Sequence, residues 1–206
     1  MQQSNTVVVI HDAFQPISYW QGFMPKPTYE GVILDTHIYQ MFSVAVCMIF
    51  HHDEARHLLI CVTTSQENQR SDAEHIKDAC SRADVLASSS LPVVVGEWTP
   101  GATDCAKYLN GRGVGSRYEG THPDSTYAIG SCVGKTGEAS TFSSSYKTFL
   151  RQYWEAQTSS FEKGCRGWIQ WTWKAEIADE WSYQAGLANG WIPQDPTARM
   201  YPNICG

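Results

Sequence analysis

One acid in this chain sits where a sheet would deliver it to chemistry. Val93-Val94-Val95 is a β-branched run that stops at Gly96, and Glu97 and Trp98 follow at once. A strand ending on Gly-Glu-Trp carries a carboxylate to the rim of a sheet or barrel with an indole beside it. That pairing suits a sugar, whose apolar face stacks on an aromatic ring while the anion meets the anomeric carbon. Taken alone, the same residues also read as an ordinary strand followed by an exposed acid.

Three other segments strengthen the chemical reading. Val32–Leu34 runs into Asp35-Thr36-His37-Ile38-Tyr39-Gln40, and strand alternation puts Asp35, His37 and Tyr39 on one face. The competing reading of His37 is a satisfied core histidine. Val7–Ile10 is a short apolar run that ends in His11-Asp12-Ala13-Phe14, and Gly167–Lys174 places Trp171 and Trp173 on a shared face. Beyond that last segment lie Glu176, Asp179 and Glu180, which read as loop or sugar-contact residues before they read as a second catalytic carboxyl.

These segments need a frame. The apolar runs read as buried strands of a parallel sheet covered on both faces. Ser71 to about Ala87 reads as a helix, opened by a Ser71/Glu74 capping box. Leu91–Gly96 is the third strand. Gly101–Gly137 reads as a long loop with one short helix near Ala102–Leu109, and loops of that length are commonly functional. Ser143–Lys163 is a helix with Tyr146, Phe149, Leu150, Tyr153 and Trp154 on one core-facing stripe, and Gly164 is expected in the left-handed position after its end. The tail from Trp181 to Gly206 reads as loop. The order strand, strand, helix, strand, helix, strand is a βα pattern with polar groups at the C-terminal strand ends, as in (β/α)8 barrels. Only four strands are visible, where such a barrel needs eight.

The chain has 206 residues and a formal charge of −6, which suits one domain or a large piece of one. An acidic balance argues against nucleic acid or an anionic membrane as the main partner. No run reaches membrane-span length. Eight Trp and ten Tyr fit a cleft with flat walls, or a core heavy in aromatics. Seven Cys include several in polar settings typical of secreted loops, yet Met1-Gln2-Gln3-Ser4-Asn5 is no signal peptide. No cofactor motif is present. His51, His52, His57 and Cys61 match no zinc spacing, so no metal is expected. No Cys sits at a strand end with a His partner in view, which speaks against a cysteine nucleophile.

The motifs together resemble the fungal exo-β-1,3-glucanases (glucan 1,3-β-glucosidases) of glycoside hydrolase family five. The resemblance rests on His11–Gln15, Asp35–Ser43, Val95–Trp98, Thr103–Gly111, Trp171–Lys174, Glu180–Gln184 and Pro202–Gly206, and covers nearly all of the chain except residues 44–66. It implies that residues 1–206 are part of an α/β catalytic domain, namely strands five to eight of a (β/α)8 TIM barrel. It implies Glu97 as nucleophile, with His37, Tyr39, Phe42, Trp171 and Asp12 as substrate-binding residues. It implies disulfides Cys105–Cys132 and Cys80–Cys205, leaving Cys165 free. The implied substrate is β-1,3-glucan or its oligosaccharides, cleaved from the end to release glucose. The implied setting is extracellular or cell wall, with the full-length form a monomer.

Two departures accompany the match. The family's acid/base lies in an Asn-Glu-Pro motif, and no Asn-Glu-Pro occurs here. The alternative function is therefore a non-catalytic glucan-binding or inert truncated remnant. Residues 44–66 also fit no βα repeat and read as translated intron sequence, which sequencing of the transcript would test.

Overall fold

The computed structural model describes residues 6–42, 48–50, 58–60 and 65–206, with 48–50, 58–60, Ser65 and Gln66 described as backbone only. Its elements are strands β1 (Val8–His11), β2 (Val32–Ile38), β3 (Met48–Phe50), β4 (Leu58–Ile60) and β5 (Val93–Trp98), and helices α1 (Ser65–Asn68), α2 (Asp72–Ala87), α3 (Ser144–Gly164) and α4 (Tyr183–Asn189). β1, β2 and β5 form a parallel sheet in that order. β3 and β4 pair antiparallel as a separate hairpin, outside the parallel layer. The four residues considered for zinc lie outside the described residues. The architecture is α/β with a small parallel sheet, compatible with part of a TIM barrel.

The register of the sheet decides what faces what. β1 pairs with β2 from Val8↔Val32 to His11↔Asp35. β2 pairs with β5 in step from Leu34↔Val93 to Thr36↔Val95, then slips so that His37 faces Glu97. Gly96 is the extra residue of this bulge. A Cβ on Gly96 would overlap the Asp35 carboxylate, so only glycine lets that side chain lie across β5.

Helices α2 and α3 cover the other face. Leu34, Val93, Val95 and Trp98 from the sheet meet Ala79, Leu86, Leu150, Tyr153, Trp154 and Phe161 from the helices in one buried cluster. The aromatic stripe expected on α3 is buried along its whole length. The Ser71/Glu74 capping box forms as expected at the start of α2: Glu74 N–H donates to Ser71 Oγ at 3.3 Å and Ser71 N–H to the Glu74 carboxylate at 2.7 Å. Just before its first residue, α3 is capped by Ser143, whose Oγ accepts from Tyr146 N–H at 3.1 Å.

Several expectations are corrected. Gly164 is the last residue of α3 and not a left-handed cap; the extended Cys165 follows it. A Cβ on Gly164 would lie 2.5 Å from the Ala83 carbonyl oxygen, so its role is close approach of α3 to α2. No helix forms over residues 102–109, because the Asp104 carboxylate gathers backbone N–H groups from Arg117 and Tyr118 at 2.8 and 3.0 Å and holds the segment as turns. Residues 167–174 run beside β5, with Ile169 N–H donating to Val95 O and Trp171 N–H to Trp98 O, both at 2.8 Å, but form only the single bridge Val95↔Trp168. Further along, the backbone is claimed by the tail: Thr172 N–H donates to Trp181 O at 2.9 Å and Gln184 N–H to Trp173 O at 3.0 Å. The tail contains α4, closed by Gly190 at φ +85°, where glycine carries no Cβ penalty.

Cys80–Cys205 ties α2 to the C-terminus, and Cys105–Cys132 staples the long loop. Cys165 is free. The tail is held a second time by Glu155, buried on α3 beside Arg151, whose carboxylate accepts from Met200 and Tyr201 N–H at 2.8 and 2.7 Å. Among the described residues no helix is long and apolar enough to cross a membrane.

Candidate functional site

At the C-terminal ends of β1, β2 and β5 lies a cleft of about 660 Å³, lined among others by Asp12, Phe14, His37, Tyr39, Phe42 and Glu97. Strand direction explains the gathering, since all three parallel strands deliver their last side chains to one rim. Glu97 presents its carboxylate there with a side chain 27 % exposed. Tyr39, just beyond β2, donates its hydroxyl to Glu97 Oε2 at 2.8 Å. His37 Nδ1 lies 3.3 Å from the same oxygen, and its Nε2 lies 3.4 Å from Asp35 Oδ2. Burial, reinforced by the bond to the carboxylate and its charge, holds the Tyr39 phenol far above its ordinary range, so it stays a donor. His37 is therefore bracketed by two carboxylates at the rim and is not a core histidine.

Trp98 departs from the initial picture. It is fully buried and packs against Trp154, Phe161 and Trp168 with ring centroids 5.3–6.4 Å apart. Successive strand residues point to opposite faces, so a Glu97 at the cleft sends Trp98 into the core. The aromatic surface near the carboxylate comes from Tyr39 and Phe42, whose rings meet edge to face at 5.6 Å. Trp171 is half exposed, and its ring does not line the cleft.

Asp12 borders the cleft but is 3 % exposed, and both its oxygens are engaged. Oδ1 accepts from Phe14 N–H at 2.8 Å, and Oδ2 accepts from the Thr36 hydroxyl. Burial raises its carboxyl above the usual range, against the opposing pull of the Thr36 bond. Its visible work is to hold the turn after β1. There Ala13 and Phe14 both take positive φ, 50° and 58°, and His11 Nδ1 accepts from Ala13 N–H at 3.0 Å. The turn brings His11 against His37 at 4.4 Å between ring centroids and puts Phe14 on the cleft wall. Sequence reading assigns His11 and Phe14 no role, and neither Ala13 nor Phe14 is a residue type that advertises a left-handed backbone.

The acids after residue 174 separate. Glu176 is exposed, Asp179 accepts from Ala139 N–H at 2.7 Å, and Glu180 is buried against Thr136. No cluster able to hold a metal ion exists among the described residues.

With this geometry in place, comparison with known proteins is informative. No family model matches the chain. It is 41% identical over 203 residues to "Probable glucan 1,3-beta-glucosidase A" of Aspergillus niger, covering 98% of this chain and 42% of that protein. It is 42% identical to "Probable glucan 1,3-beta-glucosidase" of Arthroderma benhamiae, covering 98% of this chain and 44% of that one. The chain is a homologue of the fungal glucan 1,3-beta-glucosidases. "Glucan 1,3-beta-glucosidase I/II" of Saccharomyces cerevisiae is similar at 39% identity, over 99% of this chain and 41% of the yeast protein. The chain thus spans less than half the length of the glucan 1,3-beta-glucosidases it matches, and corresponds to their C-terminal part.

Proposed function

We propose that residues 1–206 are part of a (β/α)8 glycoside hydrolase domain, strands five to eight, that acts on β-1,3-glucan from the chain end with retention and releases glucose. Glu97 is the nucleophile. One observation carries this reading: a carboxylate at a parallel strand end, in a cleft, with one oxygen held by a tyrosine hydroxyl and a histidine. The names of the homologues supply the substrate class.

In a retaining glycosidase the nucleophile's carboxylate attacks the anomeric carbon as the glycosidic oxygen leaves with its electron pair. A second carboxyl group, about 5–5.5 Å away, protonates that oxygen and later activates water. Tyr39 and His37 suit the first task, since they fix one oxygen of Glu97 and so aim the carboxylate. His37, Tyr39 and Phe42 form the sugar-binding wall, Asp12 supports it from behind, and Trp171, half exposed outside this cleft, meets the sugar beyond its edge. Nothing in this sequence matches the Asn-Glu-Pro acid, and the buried, Thr136-bound Glu180 is not placed to replace it.

That missing motif favours the second reading for the polypeptide alone, a glucan-binding or inert remnant. General acid assistance contributes about 10²–10⁴-fold, so the chain by itself should show negligible hydrolysis of laminarin. Paired cysteines fit an oxidising, extracellular or cell-wall setting. The test is to sequence the transcript upstream of the Met1 codon and express any longer product that carries Asn-Glu-Pro. First-formed glucose should be the β anomer by NMR, and Glu97→Gln should abolish its release. First-formed α-glucose, or activity that survives Glu97→Gln, refutes the proposal.

A further inference from the structure

Glu180 is a buried acid that the reading above leaves unused. It is 3 % exposed; its Oε1 accepts from the Thr136 hydroxyl at 2.6 Å, and its Oε2 is buried with no hydrogen-bond partner. Its neighbour Asp179 grips the same loop, donating its N–H to Gly137 O at 2.9 Å and accepting from Ala139 N–H at 2.7 Å. Two successive acids therefore clamp residues 136–139 onto the 178–182 turn. From the other side the turn is held by Thr172, which donates to Trp181 O at 2.9 Å and accepts from Tyr183 N–H at 2.8 Å.

What the turn presents is Trp181. Its ring stacks on Tyr39 with centroids 5.7 Å apart and planes 30° apart. Space for the indole depends on Gly101, where a Cβ would meet its nitrogen at 2.9 Å. Trp181, Met41 and Ala178 form a small buried cluster against which Tyr39 and Phe42 pack. Tyr39 is the residue that donates to Glu97.

We propose that Glu180 is a positioning residue for the Glu97 site: through Thr136 it fixes the turn that seats Trp181 behind Tyr39, and so keeps the tyrosine hydroxyl on the carboxylate. This deepens the assignment of Glu97 and rests on it. The effect is local and pH-dependent. Burial pushes the Glu180 carboxyl up to about 8, with the Asp179 charge adding to the rise and the Thr136 bond opposing it. The other groups facing this region are the Tyr146 phenol on α3, which donates to Lys135 O at 2.8 Å, and the Lys135 ammonium, 4.4 Å over the Tyr146 ring. Ionised, Glu180 would put an uncompensated charge against an apolar cluster. Its raised folded value means that its contribution to stability is full below about 4.5, falls as pH rises, and is lost once pH passes about 8.

The experiment labels tyrosine Cζ with carbon-13 in the full chain and follows the Tyr39 resonance, assigned with Tyr39→Phe, from pH 6 to 9.5. Tyr39 does not titrate in this range, so its resonance reports its surroundings. In the unaltered protein it should move in a single step centred near pH 8. Glu180→Gln keeps the shape and the Thr136 bond without a titrating proton, and should remove the step while leaving the resonance at its neutral-pH position. Thr136→Val should displace the resonance at every pH. A step that persists in Glu180→Gln, or a Tyr39 resonance indifferent to all of these changes, overturns the proposal. Because the readout needs no glycan chemistry, it can succeed even where Glu97 fails as a nucleophile, and the two failures are separable.

Discussion

Tyr39 and Glu97, 58 residues apart in sequence, are joined by a 2.8 Å hydrogen bond from the phenol to Oε2. The contact exists because β2 and β5 are parallel neighbours and because their register slips by one residue before the strands end. It fixes the direction of the carboxylate. Replacing Tyr39 with Phe removes the donor and leaves Oε2 to His37 and solvent. Because Glu97 is partly exposed, water replaces much of the lost bond, and the expected cost is about 0.5–1.5 kcal/mol by urea unfolding. An unchanged unfolding midpoint would show the bond to be idle.

The slip depends on Gly96. Gly96→Ala drives a methyl group into the Asp35 carboxylate and should destabilise the chain by about 1–3 kcal/mol. Adding Asp35→Ala opens the space, so the double variant should recover part of the loss, read as a coupling energy in a double-mutant cycle. Strict additivity would mean that the two residues do not contend for the same volume.

His75 sets an acid limit. It is buried on α2, where Gln40 donates its amide N–H to the His75 carbonyl at 3.1 Å and lies with its amide oxygen 2.7 Å from Nδ1. Burial, with Arg70 adding to it, lowers the imidazole from 6.5 to about 4. The unfolded chain therefore takes up a proton first as pH falls, and stability is lost between about 6.5 and 4, by about 3 kcal/mol in all. Glu180 acts in the opposite sense over part of this window, so the observable is the difference between the protein and His75→Gln, measured at pH 7 and pH 4. Equal acid sensitivity of the two would refute the assignment.

Among the described residues β1 is an edge of the parallel sheet, and Val8 and Val9 on it, with Val7 just before it, are each about half exposed. An apolar free edge invites pairing with another chain. The protein is expected to self-associate by light scattering, and Val9→Lys should reduce that. A monodisperse monomer would contradict this.

Much of this was legible in the residues. The β-branched runs and the spacing of the α3 aromatics report burial directly, so β1, β2, β5 and α3 were located to within a few residues, and the Ser71/Glu74 pair marked the start of α2. Alternation along β2 also grouped Asp35, His37 and Tyr39. What escaped depends on partners remote in sequence. Nothing local shows that Gly96 is skipped in the register, that Gly164 faces Ala83, or that residues 172–173 bond to the tail. Trp98 beside Glu97 reads as a cleft indole by residue type, but strand alternation turns it to the opposite face, into the core. Glu180 reads as a loop acid because its burial comes from the loop at Thr136, 44 residues earlier in the chain.

The most direct measurement uses an activated sugar that needs no acid. In 2,4-dinitrophenyl 2-deoxy-2-fluoro-β-glucoside the phenolate leaves unprotonated, so a carboxylate nucleophile can form its glycosyl ester without a partner carboxyl, and the fluorine slows loss of that ester. Incubation with the 206-residue chain, followed by peptide mass spectrometry, should place one fluoroglucosyl group on Glu97, and Glu97→Gln should take none. An unlabelled chain, or a label on another residue, contradicts Glu97 as the nucleophile.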